Sequence, residues 1–339
     1  MQIIPLMRNA STTSARQSVK LASQGSGILI SCQNRIIQSR IIQLLQQKAA
    51  GLEIQSLEEH AHEFGGCEYL LVAGPGQGGS LRLLFAMPQL AGPFQQQVLG
   101  PEVIDSVAAA FRGVAVVSRQ PPEPPFHLAL DVDLHLLARL SAPQQDGWSR
   151  SLASLRLLLA GHPLRQVFRA LEAGTLQAGP PLVCCNTPGQ VYVIKPAADS
   201  VALIFPLRFR SRQDCAIGVA CLQEFVEARR GPSLGRAPTC SYSCQTREVP
   251  GELAGLDLSA VLGPGGCNGG YLTLTFTRRH VSGPQMEGVV WSMATLHQFV
   301  AFHVKATKAM MHTRMRRRVM AMIELLGAGG GGGAGAMAV

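Results

Sequence analysis

Short apolar runs separated by turn residues fill most of this chain, and near its end they give way to one long helical rhythm. GILISCQ, from Gly27, alternates as a strand does. In NRIIQSRIIQLLQQKAAG the apolar positions recur at steps of three and four, which predicts a helix with Asn34 as N-cap and Gly51 as stop. EYLLVAG and SLRLLFAM flank the turn-forming GPGQGG, the pattern of an antiparallel hairpin. PEVIDSVAAAFRG predicts a helix opened by Pro101 and closed by Gly113, then VAVVS and FHLALDVDL predict strands with QPPEPP as the loop between them. DGWSRSLASLRLLLAGHPLRQVFRALEAG predicts helix, broken or kinked at Gly161 and Pro163, bridging the two halves. Beyond it PLVCCN, QVYVIKP, SVALIFPLRF, CAIGVACLQEFVEARR, TCSYSCQTREV and GGYLTLTFTRRH predict six strands in a meander.

VYVIKPAADSVALIF in the second half is a counterpart of the first hairpin, and each half runs helix, antiparallel strands, helix. The fold class expected is therefore α+β: two similar modules of antiparallel sheet with packed helices, plus a long C-terminal α-helix. The corresponding divisions are a leader (1–27), a first α/β module (28–147), a second (148–283), the long helix of the second module (284–326) and a flexible Gly-rich tail (327–339).

In that last helix apolar or small residues recur in phase at Met286, Val290, Met293, His297, Val300, Val304, Thr307, Met311, Met315, Val319, Met322 and Leu326. A continuous helix from Gln285 would be ~60 Å long at ~1.5 Å per residue, whereas sheet strands span only ~20 Å. Its first part should pack on the second module's own sheet. The rest is expected to seek a helix from another chain, the alternative being that both faces pack within this one, and Val300, Val304, Met311, Met315, Val319 and Met322 are assigned to that partner-helix interface.

Charge sharpens the picture. The net charge is +9, and between Lys305 and Arg318 stand six Lys/Arg and no acid. Clustered cations steer polyanionic partners, so Lys305, Lys308, Arg314, Arg316, Arg317 and Arg318, with Arg229, Arg230, Arg278 and Arg279, are assigned to a basic surface beside an apolar face. No uncharged apolar run reaches the ~18 residues of a membrane span. Nine Cys without C-x-x-C spacing suggest reduced thiols in a cytosolic setting. The first acidic residue is Glu53, and the Ser/Thr/Arg-rich leader leaves two readings open, a cleaved transit peptide and an extension outside the fold.

No catalytic, cofactor-binding or metal-ligating residue is assigned. Gly74, Gly76 and Gly79 match G-x-G-x-x-G, but a strand-like run follows where a dinucleotide site needs a helix. Asp131 and Asp133 share one strand face without a third group to complete an acid/base or metal site. His60, His62 and Cys67 lack a suitably spaced fourth ligand and suggest a surface turn. His297, on the apolar stripe, is expected to be a buried helix-interface residue. Stacking aromatics are scarce near the cations, only Phe299 and Phe302 preceding them, so no specific nucleic-acid partner is expected.

HVKATKAMMHTRMRRR in the long helix, GYLTLTFTRRH before it, and IGVACLQEFVEARRG with the later TREVP segment resemble subunit 2 of the actin-related protein 2/3 complex; NRIIQ at Asn34 resembles that family's N-terminal NRII. The resemblance runs roughly from Asn34 to Arg318 and is strongest from Ala216. It implies a non-enzymatic cytoplasmic, cytoskeletal scaffold of two like modules, without cofactor. Its long helix would lie antiparallel to that of subunit 4, and the two subunits together would hold the actin-related subunits and touch the side of the mother filament. The alternative class is a basic nucleic-acid- or anionic-lipid-binding module. The leader, GPSLGRAP, GPGGCNGG and the polyglycine tail depart from the family pattern.

Overall fold

The computed structural model describes residues 31–63, 65–75, 79–90, 92–118, 123–229, 231, 235–244, 249–258, 262 and 266–328, with the backbone alone for 327–328. The leader, most of GILISCQ, Gly76, Arg230 and nearly all of the glycine tail lie outside these residues.

Helix α1 (Arg35–Ala49) starts as expected: the Asn34 side chain accepts from the Ile36 and Ile37 amides at 3.1 and 3.2 Å, and Gly51 ends the segment at φ 71°. Ile37, Ile41, Leu44 and Leu45 form its buried face. Strands β1 (Leu57–Glu63), β2 (Cys67–Ala73) and β3 (Ser80–Ala86) follow, then helices α2 (Gly92–Leu99) and α3 (Pro101–Ala110), and strands β4 (Ala115–Val117) and β5 (Leu128–Asp133). The hairpin of β2 and β3 is present with Tyr69 opposite Phe85, their rings edge to face at 4.7 Å.

Helices α4 (Leu134–Ala138), α5 (Ala142–Leu152), α6 (Leu155–Ala160) and α7 (His162–Ala173) lead to the second half. There β6 (Leu182–Thr187), β7 (Gln190–Pro196) and β8 (Ser200–Pro206) precede helix α8 (Arg212–Arg229). Strands β9 (Thr239–Ser243) and β10 (Tyr271–Thr277) and helices α9 (Arg278–Val281), α10 (Met286–Ala294) and α11 (Leu296–Ala328) complete the chain.

Both sheets are antiparallel and share one topology, β1-β2-β3-β5-β4 and β6-β7-β8-β10-β9. The α+β expectation therefore holds, and the duplication extends to strand order. The order is not a simple meander, because the last strand of each sheet inserts between the third and the fourth.

Three local expectations are corrected, and one helix the sequence left unassigned appears. CAIGVACLQEFVEARR is the helix α8, not a strand: Gly218 and Leu222 are buried one turn apart while Gln223, Glu224, Phe225 and Glu227 face water. An acid in the first turn and 18 residues also suit a helix better than a strand. LEEHAHE is the edge strand β1 and not a turn; only Ala61 is buried in it, so β2 imposes the extended form that composition does not announce. Helix α2 carries no strong pattern, burying only Val98. The terminal helix is interrupted at Thr295, at φ −112° and ψ 10°. There the Thr295 hydroxyl donates to the Trp291 carbonyl at 2.7 Å, and the Asn186 amide on β6 takes the Ala294 carbonyl at 3.3 Å.

One core lies under the first sheet and includes Cys185 and Val191 from the second. Another packs α7, α10 and the start of α11 on the second sheet, with Phe168 and Phe276 at 5.3 Å. Two arginines inside the apolar run of α6 and α7 are buried. Arg165 makes a two-pronged pair with Glu287 on α10, at 2.7 and 2.8 Å, and Arg156 reaches Glu63 at 3.4 Å.

Candidate partner interface

The first turns of α11 belong to the second core. Leu296, Val300 and Val304 face inward, and Lys308 Nζ closes on Asp214 of α8 at 3.0 Å. From Ala309 to Leu326 every residue is exposed. Those residues form a rod that leaves the body and extends ~27 Å at ~1.5 Å per residue.

This division corrects the predicted seam. Val300 and Val304 are 7% and 3% exposed, already covered by their own chain, whereas Met311, Met315, Val319 and Met322 are between 50% and 59% exposed. At ~100° per residue, Met311, Met315, Val319, Met322 and Leu326 stay within roughly 80° of one another, in line with Val304. The stripe that makes core contacts at its base thus continues in phase along a surface that nothing in the described chain covers. Sequence reading missed Met310, Met320, Ile323 and Leu325, which are also exposed; Met320 lies ~180° from Met311 and belongs to no single seam.

The cations do not collect on one face, which corrects the second expectation. Consecutive residues on a helix diverge by ~100°, so Arg316, Arg317 and Arg318 fan around the rod, Arg318 falling ~20° from Met311 on the apolar stripe. Arg314, Arg316, Arg317 and Arg318 are exposed and form no ion pair among the described residues. The others are spread out. Arg229 folds back onto the Pro238 and Ala237 carbonyls at 2.7 and 2.6 Å, and Arg279 meets His280 Nε2 at 3.1 Å. Lys305 and Lys308 both hold the Asp214 carboxyl below its usual pKa, chiefly through the Lys308 hydrogen bond. Arg230 lies outside the described residues. The structure thus gathers Arg314 to Arg318 on the rod and Lys305 and Lys308 at its base, and leaves Arg229, Arg278 and Arg279 elsewhere.

His297 is a packing residue, as expected. Its ring is edge-on to Phe205 at 5.5 Å with Nε2 3.4 Å from the Pro206 carbonyl, and burial drives its pKa from 6.5 down to about 4. The unfolded chain therefore binds a proton that the folded chain refuses in the window between these values. Stability is complete above pH 6.5 and is lost as pH falls towards 4. By pH 5 the loss should be roughly 2 kcal/mol, and His297→Leu should flatten the slope of urea midpoint against pH. Phe299 is engaged with the His303 ring at 4.3 Å, which removes one of the two aromatics near the cations from any stacking surface.

The remaining candidates fall where bland chemistry suffices. Asp131 lies 3.8 Å from Arg82, and Asp133 caps α4 through the Leu136 amide at 3.0 Å. His60 is hydrogen-bonded to Glu68 on the solvent face of β1, while Cys67 is buried on the core face. Gly74 and Gly79 flank a hairpin connection between strands. No helix among the described residues is long and apolar enough to cross a membrane.

Comparison with known proteins points one way. Residues 94–329 match the family described as Arp2/3 complex, 34 kD subunit p34-Arc. Actin-related protein 2/3 complex subunit 2A of Arabidopsis thaliana is 37% identical over 177 residues, 52% of this chain and 54% of that protein. Subunit 2B of the same plant is 23% identical over 283 residues, 80% of this chain and 71% of its own length. Subunit 2 of Dictyostelium discoideum is 26% identical over 197 residues, 58% and 63%. The match to subunit 2A thus spans about half the length of that relative. The family match covers both the second sheet and the projecting helix, and the chain belongs to the p34-Arc family of Arp2/3 complex subunits.

Proposed function

We propose that this chain is a non-catalytic scaffold subunit of the Arp2/3 complex, in the cytoplasm and cytoskeleton, that pairs with subunit 4 and faces the mother actin filament during branched nucleation. Two like modules, 28–147 and 148–283, carry the helical segment of 284–326, which is broken at Thr295. The observation behind the reading is the apolar stripe that passes without loss of phase from the core at Val304 to bare surface at Met311, Met315, Val319 and Met322. An unpartnered helix this apolar suits an interhelical seam, and Met adapts well to one. The relatives named as subunit 2 supply the complex to which such a seam would belong.

Arg314, Arg316, Arg317 and Arg318, with Lys305 and Lys308 at the base, are the cations we assign to the filament or to neighbouring subunits. Isolation of the tagged chain from extract, with mass identification of what accompanies it, should recover subunit 4 and other subunits of the complex. A monomer without companions would remove the reading. Replacing Arg316, Arg317 and Arg318 by Glu should leave assembly intact and weaken co-sedimentation with actin filaments, by a larger factor at low salt than at high. An unchanged affinity at both would remove those three residues from the filament surface.

A further inference from the structure

The base of the projecting helix is tied to the first sheet through a small polar junction. Glu63 ends β1, and its carboxylate accepts from Arg156 Nη1 at 3.4 Å and from the Asn34 side chain. Arg156, at the start of α6, is almost fully buried; its backbone amide donates to the Tyr69 hydroxyl at 3.1 Å, and its guanidinium lies 5.5 Å from the centre of the Trp291 ring on α10. Gly65, at φ 100°, passes so close that a Cβ there would stand 2.9 Å from Arg156 Nη2 and 3.3 Å from Gln298 Nε2. Gln298, three residues past the Thr295 interruption, donates to Thr187 Oγ1 of β6 at 3.1 Å. These contacts reach both sheets and both sides of the helix break.

Five of these residues, Asn34, Glu63, Arg156, Trp291 and Gln298, border a cavity of about 310 Å³ together with His62 and others. Apolar packing holds an angle by filling space. On the side of the second core Leu296, Val300 and Val304 do this; on the side of the cavity directional contacts take that part. A buried ion pair contributes little net stability because desolvation offsets the attraction, but it penalises every arrangement in which either charge is left alone. That is the behaviour required of a device that selects one orientation.

We propose that this junction is a lock: Glu63, Gly65 and Arg156, closed on Trp291 and Gln298, fix the direction in which α11 leaves the body. The geometry amplifies small errors. From Ala309, where the helix leaves the body, to Leu326 it runs ~27 Å, so a swing of ~10° moves the tip by ~5 Å. A change at the β1–β2 turn therefore alters the placement of the rod without touching the rod itself. The lock acts whether or not a partner covers the tip.

The test uses the full chain with Arg156→Met, which leaves Glu63 without its cation, and with Glu63→Gln, which keeps shape and a neutral acceptor. In Arg156→Met, amide hydrogen exchange should accelerate ~tenfold or more at residues 65–67 and 294–298 while β3 and β8 keep their protection. Small-angle scattering should show a broader spread of maximum dimension. Glu63→Gln should give the same pattern at smaller amplitude. Local acceleration with an unchanged scattering profile would overturn the lock, and so would unaltered exchange in both variants. If Arg156→Met loses protection throughout, Glu63→Gln decides: wild-type exchange at residues 294–298 overturns the proposal, and selective acceleration there with a broadened profile supports it.

Discussion

Met311→Asp should abolish co-purification of the partner subunit while leaving this chain folded. Met311 is half exposed in the isolated chain and touches no core, so the new carboxylate stays hydrated and the chain's own stability changes little. In a helix–helix seam the same carboxylate loses its water and meets thioethers and aliphatic groups. An unpaired buried charge costs several kcal/mol, and each 1.4 kcal/mol is tenfold, so affinity should fall ~100-fold or more. Two controls give the result its meaning. Met311→Leu preserves an apolar contact of similar volume and should assemble normally. Met320→Asp places the same charge on the opposite side of the helix and should assemble far better than Met311→Asp. Equal recovery of partner with both Asp variants would reject the stripe as the seam.

Phe276→Ala should strongly destabilise the second half. The side chain is 1% exposed on β10, packs 5.3 Å from Phe168 of α7 and meets the His280 ring edge-on at 6.2 Å. It links sheet to helix, and the packed surroundings cannot collapse into the space it leaves. Losses of ~3–5 kcal/mol follow such truncations, against a total stability of ~5–15 kcal/mol for a domain. Chemical denaturation of the full chain should show a loss of unfolding free energy of that size, and Phe276→Leu should recover most of it. A shift under ~1 kcal/mol would mean that the helices above the second sheet contribute little to its stability.

These two residues also show what the linear pattern can convey. Phe276 lies in GGYLTLTFTRRH, where alternation and flanking glycines make a strand plain, and the hairpins of β2 with β3 and β7 with β8 are legible for the same reason. The Asn34 cap and the Gly51 stop are local chemistry that sequence states directly. Strand β1 is different: its Glu and His residues carry no strand preference, and only the pairing with β2 makes it one. The run at Cys215 misleads because unbroken apolar residues suit a buried strand as well as a helix.

At the candidate seam, periodicity finds the stripe but not where the body ends. Val304 and Met311 are equivalent by phase, and only the position of α8 and the second sheet divides them into core and surface. The fanning of the arginines was present in the sequence and needed only helix geometry to be seen. The two buried arginines leave one visible trace, single cations inside LRLLLAGHPLRQVF, where hydration would be impossible without a carboxylate from elsewhere in the fold.

The bare rod has a chemical consequence as well. Met310, Met311, Met315, Met320 and Met322 put five of the protein's eleven sulfur-bearing methionines into water at one end of the molecule, while Met87 and Met286 stay buried. Peroxide converts an accessible thioether to a polar sulfoxide, and sulfoxides at Met311, Met315 and Met322 would oppose docking on the proposed seam. On the proposed seam, every interval the chain spends unassembled in an oxidising environment would thus be written into its capacity to assemble later, and the sooner a neighbour shielded those sulfurs, the longer the joint would stay chemically young.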